Sequence, residues 1–112
     1  MKPDQSQSAA REEALESLFA IVSKLDTVED CRNLLRDLCT PSELEALADR
    51  WQAAMYVDSG LPYREIHERT GVSVTTIGRV ARFLNDGFGG YRAALDMVPA
   101  VTPEQDTHKH PH

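Results

Sequence analysis

The sequence predicts an all-α fold of six helices, on three observations. Apolar residues recur at spacings of three and four, helix-start signals precede several of these stretches, and no segment alternates as a strand does. The first helix starts near Ala9, after a polar stretch, residues 1–8, that reads as a flexible tail. Leu15, Leu18, Phe19 and Val22 form its apolar stripe, and Glu12, Glu13 and Glu16 sit in its early turns, where a helix dipole favours them. It should stop near Leu25. Thr27-Val28-Glu29-Asp30 resembles a capping box with Asp in place of the usual Glu, and opens a second helix with Cys31, Leu34, Leu35 and Leu38 on one face. Thr40-Pro41-Ser42-Glu43 is a fuller box, with Pro at the first helical position. The third helix runs from Pro41 to about Ser59, with Leu44, Leu47, Ala48, Trp51, Ala54 and Met55 as its stripe and Gly60 as its terminator.

The C-terminal half is more finely punctuated. Pro62 opens a short fourth helix to about Arg69, and Gly71 follows it. Ser73 caps a fifth helix from Val74 to about Asn85. Gly87, Gly89 and Gly90 interrupt the chain before a last helix over Tyr91–Met97, and residues 99–112, with three prolines and His108, His110 and His112, read as a second loose tail.

Composition narrows the function. The chain has 112 residues, enough for one domain with a modest core. Its longest apolar run, Leu18–Val22, is far short of the ~20 residues of a membrane span. The N-terminus lacks the apolar core of a secretory signal, so a cytoplasmic protein is expected, without membrane partners. Cys31 and Cys39 match no redox or zinc spacing and read as two buried thiols on one helix. The net charge is −6, but residues 61–92 hold five Arg against three acids. A locally basic face on an acidic protein can still bind phosphates. No Ser/His/Asp set, P-loop or HExxH motif is present, so no enzymatic activity is expected. The histidine tail lacks a supporting shell, and no metal site is expected there.

The segment Pro62–Leu84 carries the functional signal. Two short helices around Gly71 read as a helix-turn-helix, with Ile66, Val72 and Ile77 meeting inside the angle. Along the second helix, Val74, Ile77, Ala81 and Leu84 face inward on this reading, while Thr75, Thr76, Gly78, Arg79 and Arg82 face outward. Thr and Arg near the start of such a helix suit base edges and phosphates in the major groove. Candidate DNA-binding residues are therefore Arg64, His67, Ser73, Val74, Thr75, Thr76, Gly78, Arg79 and Arg82. A protein-interaction module on the same helices is the alternative.

Two strings resemble a known family. Thr40-Pro41-x-Glu43-x-Glu45-Ala46-Leu47 with Arg50, followed by Arg64-Glu65, Gly71 and Thr76-Ile77-x-Arg79, resembles the Trp repressor. The fuller string from Leu61 to Leu84 is more similar to the YerC/YecD group of Trp-repressor-like proteins. The resemblance implies an intertwined homodimer built on residues 9–60, a helix-turn-helix over 61–86, a C-terminal helix over 87–98, and double-stranded DNA as partner. It also implies an effector site. Arg50 and Arg79 match the two arginines that flank tryptophan, Thr40 matches a nearby pocket residue, and the carbonyls that hold the ligand amine fall near Asp37 and Cys39. Val80 stands where the family has Gly, and Phe83 where it has a small Ser. The added bulk predicts that tryptophan binds weakly or not at all, so no cofactor is expected and the effector is left open.

Overall fold

Six helices follow one another along residues 5–98, the part of the chain that the computed structural model describes: α1 (Gln5–Lys24), α2 (Val28–Leu38), α3 (Pro41–Asp58), α4 (Tyr63–Thr70), α5 (Val74–Asp86) and α6 (Gly90–Leu95). No strand occurs among the described residues, and the fold class is all-α. The histidine tail and the first four residues lie outside the described part. α1 starts at Gln5, ahead of the expected Ala9, because nothing between Gln5 and Lys24 breaks a helix: the stretch has neither Pro nor Gly.

The predicted caps are present as hydrogen bonds. Thr27 Oγ1 accepts from the Asp30 amide at 3.0 Å. At the α2–α3 junction both halves of the box form. The Glu43 amide donates to Thr40 Oγ1 at 3.2 Å, and the Thr40 amide donates to Glu43 Oε1 at 2.8 Å. Ser73 Oγ accepts from the Thr76 amide at 3.1 Å and starts α5.

The chain divides into two compact units, one ending at Leu44 and the other starting at Glu45. In the first, neither α1 nor α2 buries a residue. Leu15, Phe19, Ile21 and Val22 of α1 and Leu35 and Leu38 of α2 stay exposed, and Leu18 and Leu34 are half-buried. The two thiols are half-buried rather than buried. Only Cys31 lies on α2, while Cys39 is that helix's C-terminal cap, with its amide bonded to the Leu35 carbonyl. The β-conformation of Cys39 at ψ 145° ends the helix one residue before Thr40 takes over as the next cap.

The second unit holds the core. Ala53, Ala54, Tyr56, Leu61, Ile66, Val72, Ile77, Val80 and Leu95 are buried together, with Trp51, Met55, Val57, Leu84 and Tyr91 packed against them. The buried face of α3 thus runs through Ala53 and Tyr56 as well as Ala54. Leu47, which the sequence pattern put on the same stripe, is exposed at 42%. An ion pair ties α6 to the end of α3: Arg92 Nη2 donates to Asp58 Oδ1 at 2.7 Å. The Asp58 hydrogen bond and charge hold the Arg92 guanidinium further above its ordinary pKa, so it keeps its charge throughout the physiological range.

Candidate nucleic-acid interface

The turn between α4 and α5 is built from three local devices. Gly71 has φ +77°, the left-handed conformation that ends α4, with its amide on the His67 carbonyl. Thr70 Oγ1 donates to the Ile66 carbonyl at 2.7 Å and accepts from the Val72 amide at 3.0 Å. The His67 ring closes the turn from outside, with Nδ1 2.7 Å from the Val72 carbonyl oxygen. A carbonyl only accepts, so Nδ1 carries the proton and Nε2 is the nitrogen left for other partners. Below the turn, Ile66 and Ile77 are fully buried and Val72 is nearly so, the meeting of three side chains that the spacing predicts.

On α5 one expected orientation is reversed. Val74 is 51% exposed and Val80 is 1% exposed. The inward stripe is Ile77, Val80, Ala81 and Leu84. The reason is the period: from Ile77, positions 80, 81 and 84 fall on one face, while Val74, at the first helical position, lies beyond the end of the packed stretch. The outward set is otherwise as the spacing predicts. Thr75, Arg79 and Arg82 are exposed, and Thr76 and Gly78 are half-exposed. Ser73 Oγ donates to Thr76 Oγ1 at 3.0 Å, so the Thr76 oxygen is engaged at the cap while its proton stays available. Arg64, on α4, is also exposed.

The charges sort into two groups. Arg69 pairs with Glu65 at 3.1 Å and lies 5.9 Å from the centre of the Tyr56 ring, and Arg92 is held by Asp58 and Asp96. Arg64, Arg79 and Arg82 have no ion-pair partner among the described residues. Structural pairing thus uses two of the five arginines between residues 61 and 92, and the other three present their guanidinium groups to solvent.

Two hollows flank α5. One, of about 490 Å³, is lined by Arg50, Trp51, Arg79, Val80, Phe83 and Tyr91, together with Ala94 and the glycine-rich segment around Phe88. It brings together three of the four candidate effector residues, Arg50, Arg79 and Val80. The fourth, Thr40, belongs to the N-terminal unit, where its hydroxyl caps α3. Sequence reasoning placed Phe83 at this hollow but missed the other aromatic residues of its lining, Trp51, Phe88 and Tyr91. Phe88 lies inside a glycine cluster and Tyr91 follows it, and neither shows a periodicity that would have flagged it. The second hollow, of about 430 Å³, is on the outward face and is lined by Thr75, Gly78, Arg79, Arg82 and Phe83.

Residues 13–98 match the family model described as Trp repressor protein. The uncharacterized protein YerC of Bacillus subtilis (strain 168) is 37% identical over 97 residues, which span 87% of this chain and 93% of YerC. A Trp operon repressor homolog of Xylella fastidiosa (strain M23) is 36% identical over 78 residues, 69% of this chain and 85% of the homolog. Among solved structures, a Staphylococcus aureus protein provisionally assigned as a Trp repressor superposes with a TM-score of 0.72 at 35% identity, covering 84% of this chain and 93% of that one. A TrpR-like protein from Eubacterium eligens ATCC 27750 superposes with a TM-score of 0.71 at 33% identity, covering 78% of this chain and 93% of that one.

Proposed function

The chain belongs to the Trp repressor family, and from that premise we propose that it is a non-enzymatic regulator of transcription that reads operator DNA with α5. The observation that carries this reading is the outward face of α5, where Thr75, Arg79 and Arg82 are exposed and both arginines lack ion-pair partners among the described residues. Unpaired guanidinium groups along the exposed face of a helix favour phosphates and guanine edges. Arg64 and the free Nε2 of His67, on α4, supply contacts to the sugar–phosphate backbone, and Ser73, Val74, Thr76 and Gly78 complete the surface that meets the groove.

The regulator acts as a homodimer. Val28 at 72% exposure, Phe19 at 57% and Leu38 at 52% head a set of apolar residues on α1 and α2 that the single chain leaves in water. Exposed apolar side chains of this kind are what a second copy covers. The family likeness and the absence of any membrane-spanning helix among the described residues fit a protein working on cytoplasmic DNA.

Tryptophan is not the effector in this reading. The 490 Å³ hollow is within the size range of small-molecule sites, so volume alone does not exclude a ligand. Val80 and Phe83 instead add side chains to the lining, where the indole would need a flat slot. DNA binding is then independent of tryptophan.

Selection of bound duplexes from random DNA, followed by gel shift with and without amino acids, tests the proposal. Enrichment of a two-fold symmetric site is the expected result. Failure to enrich any sequence at low salt would overturn it and leave the protein-interaction alternative.

A further inference from the structure

A glycine inside a helix is disfavoured unless something needs the space of its missing side chain. Gly78 is in the middle of α5, and the fold does not need it. A Cβ built there meets nothing within 4 Å, and its backbone is not in the left-handed region. The half-buried position forms part of the hollow lined by Thr75, Arg79, Arg82 and Phe83. The chain's own packing therefore gives no reason for glycine at 78.

The lining suggests what fills the space. Thr75, one turn before the site on the N-terminal side, has a methyl group, and Phe83 contributes an aromatic face at 47% exposure. Arg79 and Arg82 supply charge beside this apolar wall. In the major groove, the one apolar group that a base pair presents is the C5 methyl of thymine. Resting on the proposed DNA-reading role of α5, we propose that Gly78 is a specificity-determining residue whose missing side chain forms a notch for a thymine methyl, with Thr75 and Phe83 beside it and Arg79 and Arg82 reaching the flanking phosphates. The notch selects thymine over cytosine at one position of each half-site.

The test combines Gly78→Ala with removal of single methyl groups from DNA. The wild-type protein first selects its site from random duplexes. Each thymine is then replaced by uracil, which deletes only the C5 methyl. One position per half-site should weaken wild-type binding about fourfold, the equivalent of one buried methylene-sized group. Gly78→Ala should bind the unmodified site at least about fivefold more weakly, as overpacking of a close approach does. It should also lose sensitivity to the methyl at that one position. In the absence of DNA, the same variant should melt several degrees higher than wild type at equal concentration, because Ala stabilises a helix interior. That gain separates a filled notch from a damaged fold. The inference is overturned if Gly78→Ala keeps wild-type affinity, if it melts lower, or if it keeps the full uracil effect. It is also overturned if no single uracil matters to the wild-type protein. A wild-type protein that selects no sequence would instead sink the DNA-reading role itself, and the notch with it.

Discussion

Adding one methyl group at Gly87 should destabilise the C-terminal unit in a way its surface position conceals. Gly87 caps α5, and its amide closes the last turn on the Phe83 carbonyl at 2.9 Å. A Cβ at Gly87 would lie 2.5 Å from that carbonyl oxygen, 3.2 Å from its carbon and 3.4 Å from the Phe83 Cα. Ordinary packing needs several tenths of an ångström more at the oxygen, and all three opposing atoms are backbone. Relief must therefore move either the end of α5 or the chain leaving it, and both routes strain or break the closing hydrogen bond. Breaking that bond costs roughly 0.5–1.5 kcal/mol, and overpacking against rigid neighbours roughly 1–3 kcal/mol. Gly87→Ala should thus destabilise by about 2–4 kcal/mol in total, a drop of roughly 10 °C or more in Tm for a domain of this size. Circular dichroism melts at matched concentration measure it. Gly90→Ala is the control, because its Cβ meets nothing within 4 Å and it starts α6. A Gly87→Ala melt within about 2 °C of wild type would refute the reasoning, since it would mean the Phe83 carbonyl yields without cost.

Four further outcomes are expected. Arg79→Ala and Arg82→Ala, both at exposed positions, should weaken DNA binding and reduce its salt dependence, by about one unit of slope for each phosphate no longer neutralised, with little change in melting; gel shifts across a salt series read this. Phe19→Asp should be almost silent if α1 faces water, but should dissociate or unfold a homodimer that buries it, which sedimentation at micromolar protein distinguishes. Ile77→Ala, at a fully buried position, should cost about 2–5 kcal/mol in chemical denaturation. Isothermal titration with tryptophan should show no micromolar binding, and a clear micromolar isotherm would overturn the role given to Val80 and Phe83.

The elements were legible where local chemistry decides them. The capping box at Thr40–Glu43, the Ser73 cap and the left-handed Gly71 each depend on interactions within a few residues, and all three stand as the sequence predicts. The outward positions of Arg79 and Arg82 follow from helical period alone. What could not be read depends on which neighbours a face finds. Val74 and Val80 are both apolar and on the same helix, and the packing around Ile77 and Leu84 decides that Val80 is buried and Val74 exposed. Leu47 fits the period of α3 but is exposed, because periodicity marks an apolar face without saying what covers it. Part of the aromatic hollow was hidden for a related reason. Tyr91 comes from a six-residue helix after a glycine cluster, and only the fold brings it to Arg50 and Arg79.

Arg79 and Phe83 belong to both hollows, the aromatic one and the outward one. They are one helical turn apart, so α5 there is a wall with two used sides. A substitution at either position is judged twice by selection, once for what it does to each hollow. A change confined to one hollow has to come from the residues they do not share, such as Tyr91 on the aromatic side or Thr75 on the outward side.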